Sequence, residues 1–340
     1  MRRPVWLEKL SSRPFVNRHL TILQYRRISA TTPFDTESTG PGPGQFREQL
    51  LWLKKNVRLV SELEVRDAAY QGTPLPARSV LVTLDECHRD QYDHALPILS
   101  ELQVPALFFV PTEAILERRM SARDLVAHLV RRTMRSKFWF RGLEYSLSRG
   151  SRRVVRMLQQ EMLRPGAGHP ENFLLELGWA TRVRLPVTEV QDRELMNWAE
   201  LREIAEAGFG IGSLGHSQTA LATLDWRNQR RELVTSRDLL RAQLPGTEIR
   251  SMAYPLGGYE HFYVETQDLA RSVGYEIGFS CETGLNNARR LDSFDLRRVA
   301  APKSDWALPS LFAAPRIVGR RRCRLPSPAF QPRRGLTLVS

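Results

Sequence analysis

Short apolar runs alternate with stretches of helical periodicity along most of this 340-residue chain. Leu20-Thr21-Ile22-Leu23-Gln24-Tyr25 has the length and character of a buried strand. Thr31 to Gly44 holds three Pro and three Gly with few apolar residues, which predicts an irregular loop. Phe46, Leu50 and Leu53 then share one face of a predicted helix over 45–56, and Val57 to Val60 returns as a strand. Val80-Leu81-Val82-Thr83-Leu84 is continuously apolar and β-branched, as expected of a parallel strand covered on both faces. Tyr92, Ala95, Leu96 and Leu99 recur at helical spacing, and Ala106-Leu107-Phe108-Phe109-Val110 is a second buried strand. Together they make a βαβ unit with a right-handed crossover.

Residues 114–190 are less regular, with helical patches and a predicted hairpin around Phe138 to Leu147, and read as an insertion. Order resumes at Asn197, which with Glu200 three residues on forms a capping box for a helix ending at Gly208. Short strands are predicted at Gly210–Ser213, Ser251–Tyr254 and Tyr275–Ser280, with helices at about 227–244 and 264–273. Strand then helix, repeated without internal sequence repeats, predicts an α/β fold, a distorted (β/α) barrel. In such barrels chemistry sits just past the strands' C-terminal ends, where Asp85 and Glu86 stand.

A hydrophobic fraction of 42% with 26% charged residues is that of an ordinary globular protein. The first 27 residues are charged throughout, with no apolar core of a secretory signal, so the expected location is cytoplasmic. Cys87, Cys281 and Cys323 are too scattered for a disulfide framework or a CxxC metal pair. The net charge of +13 resolves into +6 over residues 1–27 and +7 over 316–340, leaving 28–315 neutral. This organisation predicts a basic segment over 1–19, a barrel over 20–315 and a basic, flexible tail over 316–340. Weak contact with an anionic lipid, nucleic acid or acidic glycan through those tails is the partner that the basicity allows.

Several segments, in order, carry a resemblance. Leu20 to Ile28 resembles the LTILxYHRV opening of bacterial polysaccharide deacetylases, and Val82 to Asp90 resembles their TFDDGYRD motif. Ala95 to Thr112 matches ALPIL…VPALFFVPT, Ile211 to Thr219 aligns with IGSHxxTHP, and Ala253 to Tyr259 matches FAYPYGxYD. Gly274-Tyr275, Thr283 to Asn286 and Asp292 to Val299 continue the pattern. The chain thus resembles the polysaccharide deacetylase family, of the NodB-homology type. The resemblance implies a (β/α) barrel, polysaccharide or acetylated amino sugar as substrate, and metal-dependent removal of acetyl groups in carbohydrate and exopolysaccharide metabolism.

That hydrolysis needs a water whose pKa a bound divalent, zinc-type metal lowers to about 7, with three protein ligands and one open position. Carried over position by position, the catalytic base is Asp85 and the acidic ligand becomes Glu86. The two histidine ligands become Leu214 and Gln218, which coordinate zinc not at all and poorly, respectively. The motif glycine is Cys87, and the histidine of the opening strand is Arg26. These departures imply an impaired metal site, absent or weakly occupied, in a catalytically degenerate member of the family.

Two alternatives stand beside that expectation. Glu86, His88 and His216, with Cys87, are ligand types enough for a rearranged metal site in an active deacetylase. Against convergence, side chains of successive residues on an extended segment point to opposite faces. A Cys87 nucleophile paired with His88 or His216 rests on proximity in sequence alone. The other alternative is a non-enzymatic adaptor that uses its tails. Tyr254, Pro255, Leu256 and Gly257 are the expected substrate-binding turn, and Trp198, Tyr259 and Trp306 are core aromatics or sugar-stacking ones. Arg297 and Arg298 are expected to pair with acids or to line the mouth.

Overall fold

The computed structural model describes residues 19–29, 40–164, 170–304 and 307–313. The expected loop at 31–44 lies outside them up to residue 39, as do Trp306 and the tails at 1–18 and 316–340. In chain order the first elements are β1 (His19–Tyr25), α1 (Pro43–Asn56), β2 (Arg58–Leu59), α2 (Glu62–Tyr70) and β3 (Ser79–Asp85). A π turn at Gln91–Ala95 then leads into α3 (Leu96–Leu102) and β4 (Ala106–Val110). Between β4 and β7 come α4 (Thr112–Leu116), α5 (Ala122–Arg132), β5 (Lys137–Phe140), β6 (Leu143–Ser146), α6 (Ser151–Met162), α7 (Pro170–Thr181), α8 (Thr188–Asp192) and α9 (Trp198–Glu206). The chain continues through β7 (Gly210–Ser213), α10 (Trp226–Gln243), β8 (Ser251–Ala253), α11 (Val264–Val273), β9 (Ile277–Thr283), β10 (Asn286–Asn287), β11 (Leu296–Ala300) and α12 (Leu308–Ala313).

The parallel strands run β1-β11-β9-β8-β7-β4-β3, and β3 pairs back onto β1 from Thr21↔Val80 to Tyr25↔Leu84. That pairing closes a seven-stranded parallel barrel. Period-two alternation divides its core in two. Leu20, Ile22, Leu81, Leu107, Phe109, Ala253, Ile277, Phe279 and Leu296 form one buried cluster, the lumen, where Phe109 and Phe279 meet edge to face at 5.0 Å. Leu23, Tyr25, Val80, Val82, Leu84, Phe108 and Val110 belong to the second cluster, packed under the surrounding helices. Residues 81, 83 and 85 share a face, so the lumen-facing row of β3 ends on Asp85.

Local signals explain the boundaries. Asn197 accepts from the Glu200 amide at 3.0 Å while Glu200 accepts from the Asn197 amide at 2.9 Å, the predicted capping box. Gly208, at φ +86°, turns the chain out of α9. The helix expected from Tyr92 starts as a π turn, and the strand expected at 57–60 has only two residues.

The segment between β4 and α9 has a core of its own. Leu125, Val126, Leu129 and Val130 of α5, Phe138 and Phe140 of the β5–β6 hairpin, Val154, Val155 and Leu158 of α6, and Phe173, Leu174 and Leu177 of α7 are buried together. No described helix is long and apolar enough to cross a membrane.

Candidate functional site at the barrel mouth

The C-terminal end of β3 passes into a turn that the strand pattern does not announce. Glu86 and Cys87 take φ of +78° and +50°, two successive left-handed residues without a glycine. That turn replaces the extended geometry expected for 86–88. It places Glu86 Oε2 and His88 Nε2 3.2 Å apart and drives Cys87 the other way, into the core, where Sγ lies 3.8 Å from the Phe109 carbonyl. Burial, then the charges of Asp85 and Glu86, push the Cys87 thiol above its ordinary pKa, so it stays protonated. The nucleophile reading of Cys87 fails on that environment.

Asp85 is 4% exposed, and both of its carboxylate oxygens are taken. Arg298 Nη1 donates to Oδ1 at 2.7 Å and Gln24 Nε2 donates to Oδ2 at 2.6 Å. The same two side chains reach Cys281 Sγ, from Arg298 Nη2 at 3.2 Å and from Gln24 at 3.4 Å. Arg298 Nε donates to the Ser280 carbonyl at 3.0 Å, and its guanidinium lies 5.2 Å from the Phe109 ring centroid. Burial alone would lower the pKa of Arg298, but Asp85 outweighs it and raises it. Both carboxylate oxygens of Asp85 are thus committed to Arg298 and Gln24.

The second acidic centre is built by Arg26, at the end of β1. Its Nη2 lies 2.5 Å from Glu86 Oε2, its Nε donates to the same oxygen at 2.6 Å, and Nη2 donates to Asp124 Oδ1 at 2.8 Å. His88 Nε2 faces Asp124 Oδ2 at 3.8 Å. Burial works against all three charges, yet Asp124 and Glu86 raise the pKa of Arg26. Against that same burial, Arg26 and His88 draw Glu86 well below the carboxylate range and lower Asp124. Arg27 is also buried, with Nη1 2.9 Å from Glu194 and 3.6 Å from Asp90. Counting Arg26 and Arg27 with a basic N-terminal stretch is therefore corrected: both are paired with buried or half-buried acids of the folded body.

Glu86, His88 and Asp124 have ligand atoms within 4.8 Å of one another and are of types that bind a divalent metal. Asp124, at the start of α5, was not singled out from sequence, because nothing in the motif at 82–90 points 38 residues downstream. The set does not fit a metal as it stands. One guanidinium bridges both carboxylates, and a cation there would face Arg26 at hydrogen-bond range.

The other expected ligand positions lie apart from this group. Leu214 packs in the lumen with Phe109 and Phe279. His216 is not in the Glu86–His88–Asp124 group; its Nδ1 faces Thr112 Oγ1 at 2.9 Å. The loop carrying it is pinned by Glu232 of α10, which accepts from the His216 and Ser217 amides at 3.0 and 2.9 Å and from Ser217 Oγ at 2.8 Å. Gln218 takes φ +58°.

Of the expected substrate-binding turn, Tyr254 is core: fully buried, stacked on Phe262 at 3.8 Å and donating to the Phe294 carbonyl at 3.0 Å. Pro255 is buried beside it, and Leu256 and Gly257 both have positive φ. A Cβ on Gly257 would meet Cys281 N and Sγ at 2.6 Å, so only glycine lets this turn approach β9. Tyr259 donates to Asp295 Oδ2 at 2.5 Å from a nearly buried position, and Trp198 packs against the core under the helices.

The closed parallel barrel, with Asp85 at the end of β3 and Glu86 just past it, has the fold of the NodB-type (β/α) barrel. Comparison with known proteins agrees. The family model described as Polysaccharide deacetylase matches residues 178–278, from α7 to β9. The poly-beta-1,6-N-acetyl-D-glucosamine N-deacetylase of Escherichia coli is 38% identical over 64 residues, 18% of this chain and 10% of that protein. The match therefore spans about a tenth of the curated relative's length. The Streptococcus pyogenes deacetylase PplD superposes with a TM-score of 0.59 at 17% identity, over 88% of this chain and all of that one. IcaB from Ammonifex degensii gives 0.54 at 18% identity, over 87% of this chain and 96% of its own. The fold is thus that of the polysaccharide deacetylases, and the segment at 178–278 is similar to that family in sequence. The family is one of carbohydrate esterases that use a divalent metal to remove acetyl groups.

Proposed function

We propose that this protein engages an N-acetylated amino-sugar polysaccharide at the barrel mouth without the metal-dependent hydrolysis of its relatives. The observation that carries this reading is Arg26, whose guanidinium lies against Glu86 and Asp124 where a hydrolytic site would need a metal ion. Two changes reinforce it: Leu214 and Gln218 offer no imidazole, and Asp85 has both oxygens bound by Arg298 and Gln24. In this reading Arg26 takes the place of a Lewis acid beside Glu86 and Asp124, and the carboxylate that would serve as base is already hydrogen-bonded on both oxygens. The polymer class follows from the Escherichia coli relative, which acts on poly-β-1,6-N-acetyl-D-glucosamine. Gly257 and the Leu256 turn shape the rim where a sugar would lie.

A second reading rests on Glu86, His88 and Asp124: a cation that displaced Arg26 would find three ligands and leave a fourth position open. One experiment separates the two. Purified protein is assayed for bound zinc, cobalt and nickel, for binding of acetylated β-1,6-glucosamine oligomers, and for acetate release from them. The first reading expects oligomer binding with neither stoichiometric metal nor acetate. Stoichiometric metal with acetate release, both lost in His88→Ala, establishes the second and removes the first.

A further inference from the structure

The neutrality of the body of the chain conceals a strong local imbalance. Residues 121–187 hold thirteen Lys/Arg against five Asp/Glu, a net +8, so the rest of residues 28–315 carries −8. The same segment is unusually greasy outside. Of thirteen exposed large hydrophobic residues among the described ones, Met134, Trp139, Leu143, Met157, Leu175, Trp179 and Val187 lie within it. Single exposed apolar residues need no explanation, but a cluster flanked by positive charge does.

The cluster is sharpest on α7. Phe173, Leu174, Leu177 and Thr181 face the segment's own core, which accounts for one side of the helix. Leu175 and Trp179, one turn apart, stand on the other side at 54% and 84% exposure. Around them Leu174, Gly178, Val183 and Leu185 line an open groove of about 420 Å³, with Arg182 and Arg184 at its rim. Thr133 Oγ1 donates to the Thr181 carbonyl at 2.6 Å, which brings the fully exposed Met134 and Arg135 to the same end of the helix.

We infer that this face of α7 docks on an anionic lipid bilayer, with Trp179, Leu175 and Met134 entering the headgroup boundary and Arg135, Arg182 and Arg184 meeting lipid phosphates. The chemistry selects this partner over an acidic glycan. Leu, Met and Val offer neither a ring to stack on a sugar nor a hydrogen bond to its hydroxyls, whereas a bilayer boundary takes all three. Tryptophan is the side chain enriched at that boundary, and the net +8 is complementary to an anionic leaflet. The inference does not depend on whether the barrel binds or hydrolyses a glycan.

The test is co-sedimentation of the full-length protein with phosphatidylcholine vesicles, with and without 30 mol% phosphatidylglycerol, at low and high salt. Binding is expected only with phosphatidylglycerol and is expected to weaken as salt rises. Trp179→Ser should weaken it several-fold, and Arg182→Asn with Arg184→Ser roughly thirtyfold, at about fivefold per arginine near a charged surface. Arg182→Lys with Arg184→Lys should restore it. Replacing Arg320, Arg321 and Arg322 of the tail by Ser tests the competing origin of any binding. Trp179, Arg182 and Arg184 are exposed, and circular dichroism checks that each variant folds. Three results would overturn the inference. They are vesicle binding indifferent to the α7 variants, retention of alginate but not vesicles, and a concentration-dependent dimer that Trp179→Ser dissolves.

Discussion

Arg298, on the strand that closes beside β1, donates through Nη1 to Asp85 Oδ1 at 2.7 Å, with side-chain exposures of 0% and 5%. Asp85, expected from sequence as the catalytic base, is thus one half of a buried ion pair. Removing one partner leaves an uncompensated charge in the lumen.

Arg298→Met should therefore destabilise the fold by about 3–5 kcal/mol. Asp85→Asn combined with Arg298→Met should cost clearly less than the sum of the single changes. Urea unfolding of the four proteins in a double-mutant cycle checks this; additive losses would show that the pair is not coupled.

Arg26→Gln removes the guanidinium that bridges Glu86 and Asp124. Three ligand-type groups then face one another without a resident cation. Isothermal titration with Ni²⁺ or Zn²⁺ should show one site in Arg26→Gln, and its melting temperature should rise with metal. Neither is expected of the parent chain, and adding His88→Ala should abolish both.

Acid should unlock the same cluster. Glu86 and Asp124 have folded-state pKa values below their ordinary ones: burial opposes this, but Arg26 outweighs it. Groups with depressed pKa values stabilise the fold fully above their unfolded values, near pH 4, and lose that contribution as pH falls through the folded ones. Stability should therefore hold at pH 5 and fall steeply below about pH 4. Glu86→Gln should flatten that fall, as read from denaturant midpoints across the range.

Leu177→Ala, in the separate core of the inserted segment, should cost about 2–5 kcal/mol locally. Hydrogen exchange should accelerate over 121–181 and leave β3 and β4 nearly unchanged. Equal acceleration of the barrel strands would mean that the two cores unfold together.

Much of the barrel was legible because its strands are continuously apolar. Val80 to Leu84 and Ala106 to Val110 have few other uses, and the Asn197–Glu200 box marks its helix directly. The location of Asp85 followed from the same strand. The site around it was not legible, for three physical reasons. Asp124 sits on an element that no motif ties to β3. Arg26 was legible only as the residue replacing a motif histidine; nothing in the sequence says that it reaches both Glu86 and Asp124. The turn at Glu86 and Cys87 uses left-handed backbone at residues that do not advertise it, so the strand pattern did not foresee the bend that brings Glu86 and His88 within 3.2 Å. Tyr254 was misplaced differently: an aromatic in a mouth motif turned inward to stack on Phe262.

Arg26 directly follows β1, at the barrel's closing seam, and Asp124 lies in the first turn of a helix in the inserted segment. The link between them, at 2.8 Å, is thus a clasp between scaffold and cover. Whatever ejected the guanidinium from the mouth would open that clasp in the same stroke. The charge balance of the mouth and one tie between the barrel and its inserted segment thus rest on the same side chain.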